Sequence, residues 1–158
     1  MDGTTQVARL EVGSPAPDFE LMATGGQKLR LSDFRGKSSV LLVFYPSDFS
    51  PVCSNQLPGI EEEKPRFQKL GAAILGISVD GRWAHEAFAK QLGITFPLLS
   101  DIHRQVSRAY GVLRENDFYS ERALFVVDRQ GILRYRHVHE IREVPPLEEA
   151  LRVLQSLA

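Results

Sequence analysis

The apolar run Val40 to Tyr45, opened by Ser39 and ended by Pro46, reads as a buried strand over residues 39–45. A second buried run, Ala72 to Val79, is closed by Asp80-Gly81. Two later strands, Ala123 to Val127 and Ile132 to His139, flank Asp128-Arg129-Gln130-Gly131, which reads as a hairpin turn. Between these runs the period changes to that of a helix. Trp83, Ala84, Ala87, Phe88 and Leu92 give an amphipathic helix over Arg82 to Leu92, ended by Gly93. Leu147 to Leu157, behind Pro145-Pro146, gives a closing amphipathic helix, and Arg104 to Tyr110 a short one stopped by Gly111. Shorter strands are expected at Asp18 to Leu21, Lys28 to Leu31 and Phe96 to Leu99, with one helical turn at Ser32 to Gly36 capped by Ser32. A further helix starts at Ser50-Pro51. Pro58 should break or kink it, with helical pattern resuming from Ile60 to about Leu70. Strands alternating with helices, then a hairpin and a last helix, predict an α/β fold: a central mixed β-sheet flanked by helices. Residues 1–12 read as a flexible tail and 13–158 as one domain, with no repeat or linker.

Composition narrows the class. The 158 residues are 43% hydrophobic and 25% charged, with a net charge of −1, which is ordinary for a globular domain of one core. A sequence pI of about 6.4 leaves no basic footprint for nucleic acid. The segment MDGTTQVARLEV lacks the apolar core of a secretory signal, and no apolar run approaches the ~20 residues of a membrane helix. One cysteine excludes an intrachain disulfide and any Cys-x-x-Cys redox or zinc site, so a reducing cytoplasm is the expected compartment.

That cysteine, Cys53, is where the candidate chemistry lies. With Ser50 as N-cap and Pro51 at the first helical position, Cys53 falls in the first turn of a helix, just past the C-terminal edge of a buried strand. Unpaired backbone N–H groups and the positive end of the helix dipole stabilise a thiolate there. A lone cysteine in other surroundings is usually an inert buried hydrophobe.

The stretch Pro46-Ser47-Asp48-Phe49-Ser50-Pro51-Val52-Cys53 resembles the peroxiredoxin signature: proline, three residues, Thr or Ser, two residues, cysteine. Ser78-Val79-Asp80, then His85-x-x-Phe88, then Phe96-Pro97-Leu98-Leu99-Ser100-Asp101 are similar to the peroxiredoxin Q (bacterioferritin-comigratory) and alkyl hydroperoxide reductase E branches. Arg122 in RALFVVDRQG is similar to the family's arginine that reaches the cysteine. The resemblance implies a thioredoxin-like fold and reduction of hydroperoxides at Cys53, with Pro46, Ser50 and Arg122 around the thiol. Val52 and Phe49, beside the thiol in the same signature, are candidate substrate-binding positions. No cofactor and no metal are implied. Three departures stand out: Val52 where these branches often have glycine, Gln56 where many members carry glutamate, and Pro58 where many peroxiredoxin Q proteins place a second, resolving cysteine.

The last departure bears on mechanism. With no second cysteine, the Cys53 sulfenic acid is expected to be resolved by an external thiol: a low-molecular-weight thiol or a thioredoxin- or glutaredoxin-type protein. The alternative is a peroxide sensor or relay that passes the oxidation to a protein partner. A homodimer is implied by the resemblance, with Phe49 a candidate contact. Lowering the thiol's pKa alone achieves little, because the gain in thiolate and the loss of nucleophilicity nearly cancel. Donors aimed at the peroxide oxygens must supply the rest, and Arg122, the Ser50 hydroxyl and the Cys53 amide are the candidates. His85 sits where the family also has histidine, with no catalytic role to transfer. His137 and His139 share a strand face but read as an edge strand rather than a metal site. Trp83 reads as a packing residue against the domain or a partner subunit.

Overall fold

A computed structural model describes residues 10–158. Most of the segment read as a tail lies outside the described residues, while Leu10 packs against one of the two core clusters. The β-strands are β1 (Glu20–Ala23), β2 (Gln27–Arg30), β3 (Ser39–Phe44), β4 (Ala72–Ser78), β5 (Leu98–Ser100), β6 (Leu113–Arg114), β7 (Tyr119–Ser120), β8 (Arg122–Val127) and β9 (Leu133–His139). The α-helices are α1 (Pro51–Lys69), α2 (Arg82–Leu92), α3 (Gln105–Ala109) and α4 (Glu148–Leu157), and a 3-10 turn spans Leu31–Phe34.

Seven strands form one sheet in the order β2-β1-β5-β4-β3-β8-β9. β3, β4 and β5 run parallel, and β8, β9, β1 and β2 are added antiparallel, so the sheet is mixed. β3 is central and buried along its whole length. Its alternating residues feed two cores. Leu41, Val43 and Tyr45 point to one cluster with Leu57, Ile60 and Phe67 of α1, Phe88 of α2 and Leu151 and Leu154 of α4. Val40, Leu42 and Phe44 point to the other, with Tyr110, Val112 and Phe125. Helices therefore cover both faces, as a three-layer α/β fold requires.

Several boundaries differ from the expectation for physical reasons. α1 runs unbroken from Pro51 to Lys69 with both Pro58 and Pro65 inside it. Each proline costs the helix a backbone donor, and burial of Leu57, Ile60 and Phe67 against the sheet outweighs that loss. Ser32 does not cap the 3-10 turn. Arg30 is at that position, Asp33 accepts the Arg30 amide at 2.9 Å, and Ser32's own amide donates to Asp18 at 2.9 Å. The buried face of α2 carries His85 and Phe88, while Ala87 is exposed and Trp83 is 75% exposed beneath the Arg82 guanidinium. Trp83 therefore does not pack into its own domain. The two-residue strands β6 and β7 form a separate hairpin that hydrophobic periodicity does not reveal.

Candidate active site

The site is assembled where β3, α1 and β8 meet. β3 ends at Phe44, and the Ser120 hydroxyl beside β8 donates to the Tyr45 carbonyl at 3.0 Å, fixing the exit of the chain. Pro46 follows and is buried. The loop then turns at Phe49, whose φ of 66° lies in the left-handed region that costs a side-chain-bearing residue about 1–2 kcal/mol. That turn brings Ser50 to the N-cap of α1, where its Oγ accepts the Cys53 amide at 3.3 Å.

Cys53 is fully buried. Arg122, the first residue of β8 and 1% exposed, donates from Nη1 to Cys53 Sγ at 3.2 Å. The same Nη1 donates to Gln56 Oε1, one turn further along α1, and Nε donates to the Ile141 carbonyl at 3.0 Å. The guanidinium is thus held by three acceptors from α1 and from the segment after β9. None of these three acceptors is a carboxylate. Nε2 of Gln56 is buried with no hydrogen-bond partner among the described residues.

Ser50, Cys53 and Arg122 are joined by hydrogen bonds, and Pro46 is buried at the head of the loop that leads to them. Val52 is half-buried beside them, and Phe49 is 49% exposed with its ring edge-to-face on Phe88 at 5.0 Å. One expected donor is already engaged. The Cys53 amide caps onto Ser50, which leaves the Ser50 hydroxyl proton and the Arg122 fork as the groups able to donate to an oxygen next to sulfur.

Sequence reasoning missed the layer behind this loop. Asp48, buried, accepts from the Tyr45 hydroxyl at 2.7 Å through Oδ1 and faces His85 Nδ1 at 2.7 Å through Oδ2. Its amide donates to Asp80 Oδ2 at 2.8 Å. Burial and then the charge of Asp48 hold the Tyr45 phenol well above its ordinary pKa, so it remains a donor. Asp48, Asp80 and His85 place ligand-type atoms within 4.8 Å of one another. Those atoms are taken up by hydrogen bonds among themselves and with Tyr45 and Ser78, so the cluster is a polar network rather than a cation cage. Asp101 likewise has a local task, capping α3 through the amides of Val106 and Ser107. His137 and His139 lie side by side on edge strand β9 with tilted rings, their centres 4.1 Å apart. Burial, then His137 and Arg122, push His139 down to about 4.

Comparison with known proteins agrees with this geometry. Residues 12–136 match the model of the AhpC/TSA family. The chain is 42% identical over 137 residues to alkyl hydroperoxide reductase E of Mycobacterium tuberculosis, covering 85% of this chain and 90% of that one. It is 35% identical over 156 residues to the chloroplastic 2-Cys peroxiredoxin BAS1 of Spinacia oleracea, covering 92% of this chain but 59% of the relative, so it spans little more than half of that protein's length. The crystal structure of reduced Plasmodium vivax 2-Cys peroxiredoxin superposes with a TM-score of 0.84 at 33% identity, covering 90% of this chain and 79% of that one. The fold is thus thioredoxin-like, and the chain belongs to the AhpC/TSA family, the peroxiredoxins.

Proposed function

We propose that this chain is a thiol peroxidase that reduces hydrogen peroxide or organic hydroperoxides at Cys53. The observation that carries the reading is the Arg122 Nη1 donor 3.2 Å from a buried cysteine sulfur, at a helix start capped by Ser50. In the first step the Cys53 thiolate attacks one oxygen of ROOH. An S–O bond forms, the O–O bond breaks, and RO⁻ leaves and is protonated to ROH. Sulfur loses two electrons and becomes a sulfenic acid. Negative charge develops on the departing oxygen. Arg122 and the Ser50 hydroxyl are placed to donate to it within a site closed to water, where such donors act most strongly. Pro46 is assigned as a wall of that site, and Val52 and Phe49 as substrate-binding positions, from their places in the signature that ends at Cys53.

Cys53 is the one cysteine of the 158 residues, which supports resolution of the sulfenic acid by an external thiol. A first thiol condenses with it to a mixed disulfide and releases water. A second thiol then returns Cys53 to the reduced state. Low-molecular-weight thiols and thioredoxin- or glutaredoxin-type proteins are the candidate reductants. Among the described residues no helix is long and apolar enough to cross a membrane, and a cytoplasmic location fits a working free thiol. Exposure of Phe49 and Trp83 supports pairing into a homodimer, which sedimentation at micromolar concentration would check.

The test is intact mass after one equivalent of peroxide, then exposure to a panel of thiols. A gain of one oxygen at Cys53, much faster than for free cysteine, followed by thiol-dependent recovery is expected. Oxidation no faster than that of a free thiol would sink the reading.

A further inference from the structure

We propose that Asp48 and His85 are positioning residues for Cys53. They form a buried carboxylate–imidazole clamp that holds the loop 46–50 in the conformation that aims Ser50 and Pro46 at the sulfur. The proposal rests on the peroxidase reading for its kinetic consequence, though not for its structural one.

The amide and both carboxylate oxygens of Asp48 are hydrogen-bonded. Its amide reaches Asp80 beyond β4, and Asp80 in turn accepts from Ser78 Oγ at 2.6 Å. One carboxylate oxygen takes the Tyr45 hydroxyl and the other faces His85 on α2. His85 is fully buried, and its Nε2 lies 3.0 Å from the Leu99 carbonyl on β5. A carbonyl only accepts, so Nε2 carries a proton and a single proton lies between Nδ1 and Asp48 Oδ2. The network therefore ties the loop to β4, α2 and β5 at once.

Why such a network should exist is not a matter of stability. A buried ionic or strongly polar pair costs desolvation that well-packed apolar groups would avoid, and its best use is to select one conformation. Here a conformation that needs selecting is adjacent. Phe49, next in the chain, sits at a φ of 66° that it would leave if released. α2 secures both halves of this turn, His85 holding Asp48 and Phe88, three residues on, holding the Phe49 ring. If the clamp opens, Phe49 relaxes toward extended backbone and Ser50 moves off the Cys53 amide. The pair touches no reacting atom and acts through the loop.

The experiment compares wild type with Asp48→Ala and Asp48→Asn. Asparagine can accept from Tyr45 and donate to Nδ1 of a neutral His85, so it keeps the clamp's geometry, whereas alanine removes it. Asp48→Ala should slow oxidation of Cys53 by hydrogen peroxide about thirtyfold, because the competent loop becomes a minor population. Its rate of alkylation by iodoacetamide should not fall, since that reaction needs neither Ser50 nor Pro46. Hydrogen exchange of amides 49–54 should accelerate about tenfold or more in Asp48→Ala. Asp48→Asn should stay within about threefold of wild type in all three readouts. The clamp is overturned if Asp48→Ala matches wild type in exchange or peroxide rate. It is also overturned if peroxide and alkylation rates fall together, or if asparagine fails as alanine does. Should Asp48→Ala not fold, Tyr45→Phe removes one of the same bonds without a cavity. It should slow peroxide oxidation about threefold to tenfold, and an unchanged rate overturns the proposal. A wild-type thiol no faster than free cysteine would remove the peroxidase reading, leaving the exchange result to decide the clamp.

Discussion

Replacing Arg122 by lysine keeps a cation at the start of β8 but removes the planar fork. In the native site Nε is committed to the Ile141 carbonyl while Nη1 serves both Cys53 Sγ and Gln56 Oε1. That division fixes the plane of the guanidinium, and a single ammonium nitrogen cannot reproduce it. A charge-assisted hydrogen bond is worth about 1.5–3 kcal/mol. Losing one in the transition state, at about 1.36 kcal/mol per decade, gives roughly a tenfold to roughly a 150-fold slower reaction. The positive charge beside the sulfur survives, so a reaction that needs only the thiolate should change much less. The assay is the second-order rate of Cys53 oxidation by hydrogen peroxide in stopped flow, with iodoacetamide alkylation as the control. Arg122→Lys should lose about tenfold or more on peroxide and little on alkylation, and Arg122→Met should lose more on both. If Arg122→Lys oxidises within about threefold of wild type, the orienting role of the fork is wrong.

Two further outcomes test the surrounding structure. His139 is held down to about 4 against an ordinary 6.5, so the unfolded chain takes up a proton that the folded one refuses. Stability from this source is complete above 6.5 and falls as pH drops toward about 4. His139→Gln should flatten the decline of the urea midpoint in that window, and equal slopes in the two proteins would refute the assignment. Gly76 lies on β4, where an added Cβ would sit 2.7 Å from Leu98 Cδ2, 3.4 Å from Phe96 and 3.5 Å from Tyr45. Gly76→Ala should therefore destabilise by about 1–3 kcal/mol in urea unfolding, and a neutral result would mean that these side chains yield freely.

The sheet core and α2 were legible because their signals are local. Pro46, Gly93 and Asp128-Gly131 punctuate runs whose period is unambiguous, and α2 begins and ends where the pattern predicts. The continuity of α1 was not legible, because proline propensity is local while the burial that overrides it comes from the sheet. The site divides the same way. Pro46, Ser50 and Cys53 lie within eight residues and announce themselves, and Arg122 was found through its motif alone, 69 positions from the cysteine. The pairing of Asp48 with His85 escaped because the two are not sequence neighbours. His85 meets Asp48 37 positions away and the Leu99 carbonyl 14 away, and an apolar count along α2 scores a buried histidine as an interruption. Gln56 could be noticed as a departure, but not as an acceptor for Arg122.

The Nε bond to Ile141 has a consequence for how this protein can vary. What Arg122 reads there is a backbone oxygen, so the identity of the side chain at 141 is immaterial to the fork while the path of the chain is not. Residues 140–147 link the edge strand to α4 on the outside of the molecule, where loops ordinarily tolerate both substitution and changes of length. Here the two kinds of change part company. Point replacements in this connector should leave the chemistry intact. An inserted or deleted residue between Glu140 and Arg142 would rotate a carbonyl away and tilt the guanidinium over the sulfur, so that a change of loop length at the surface is felt at Cys53.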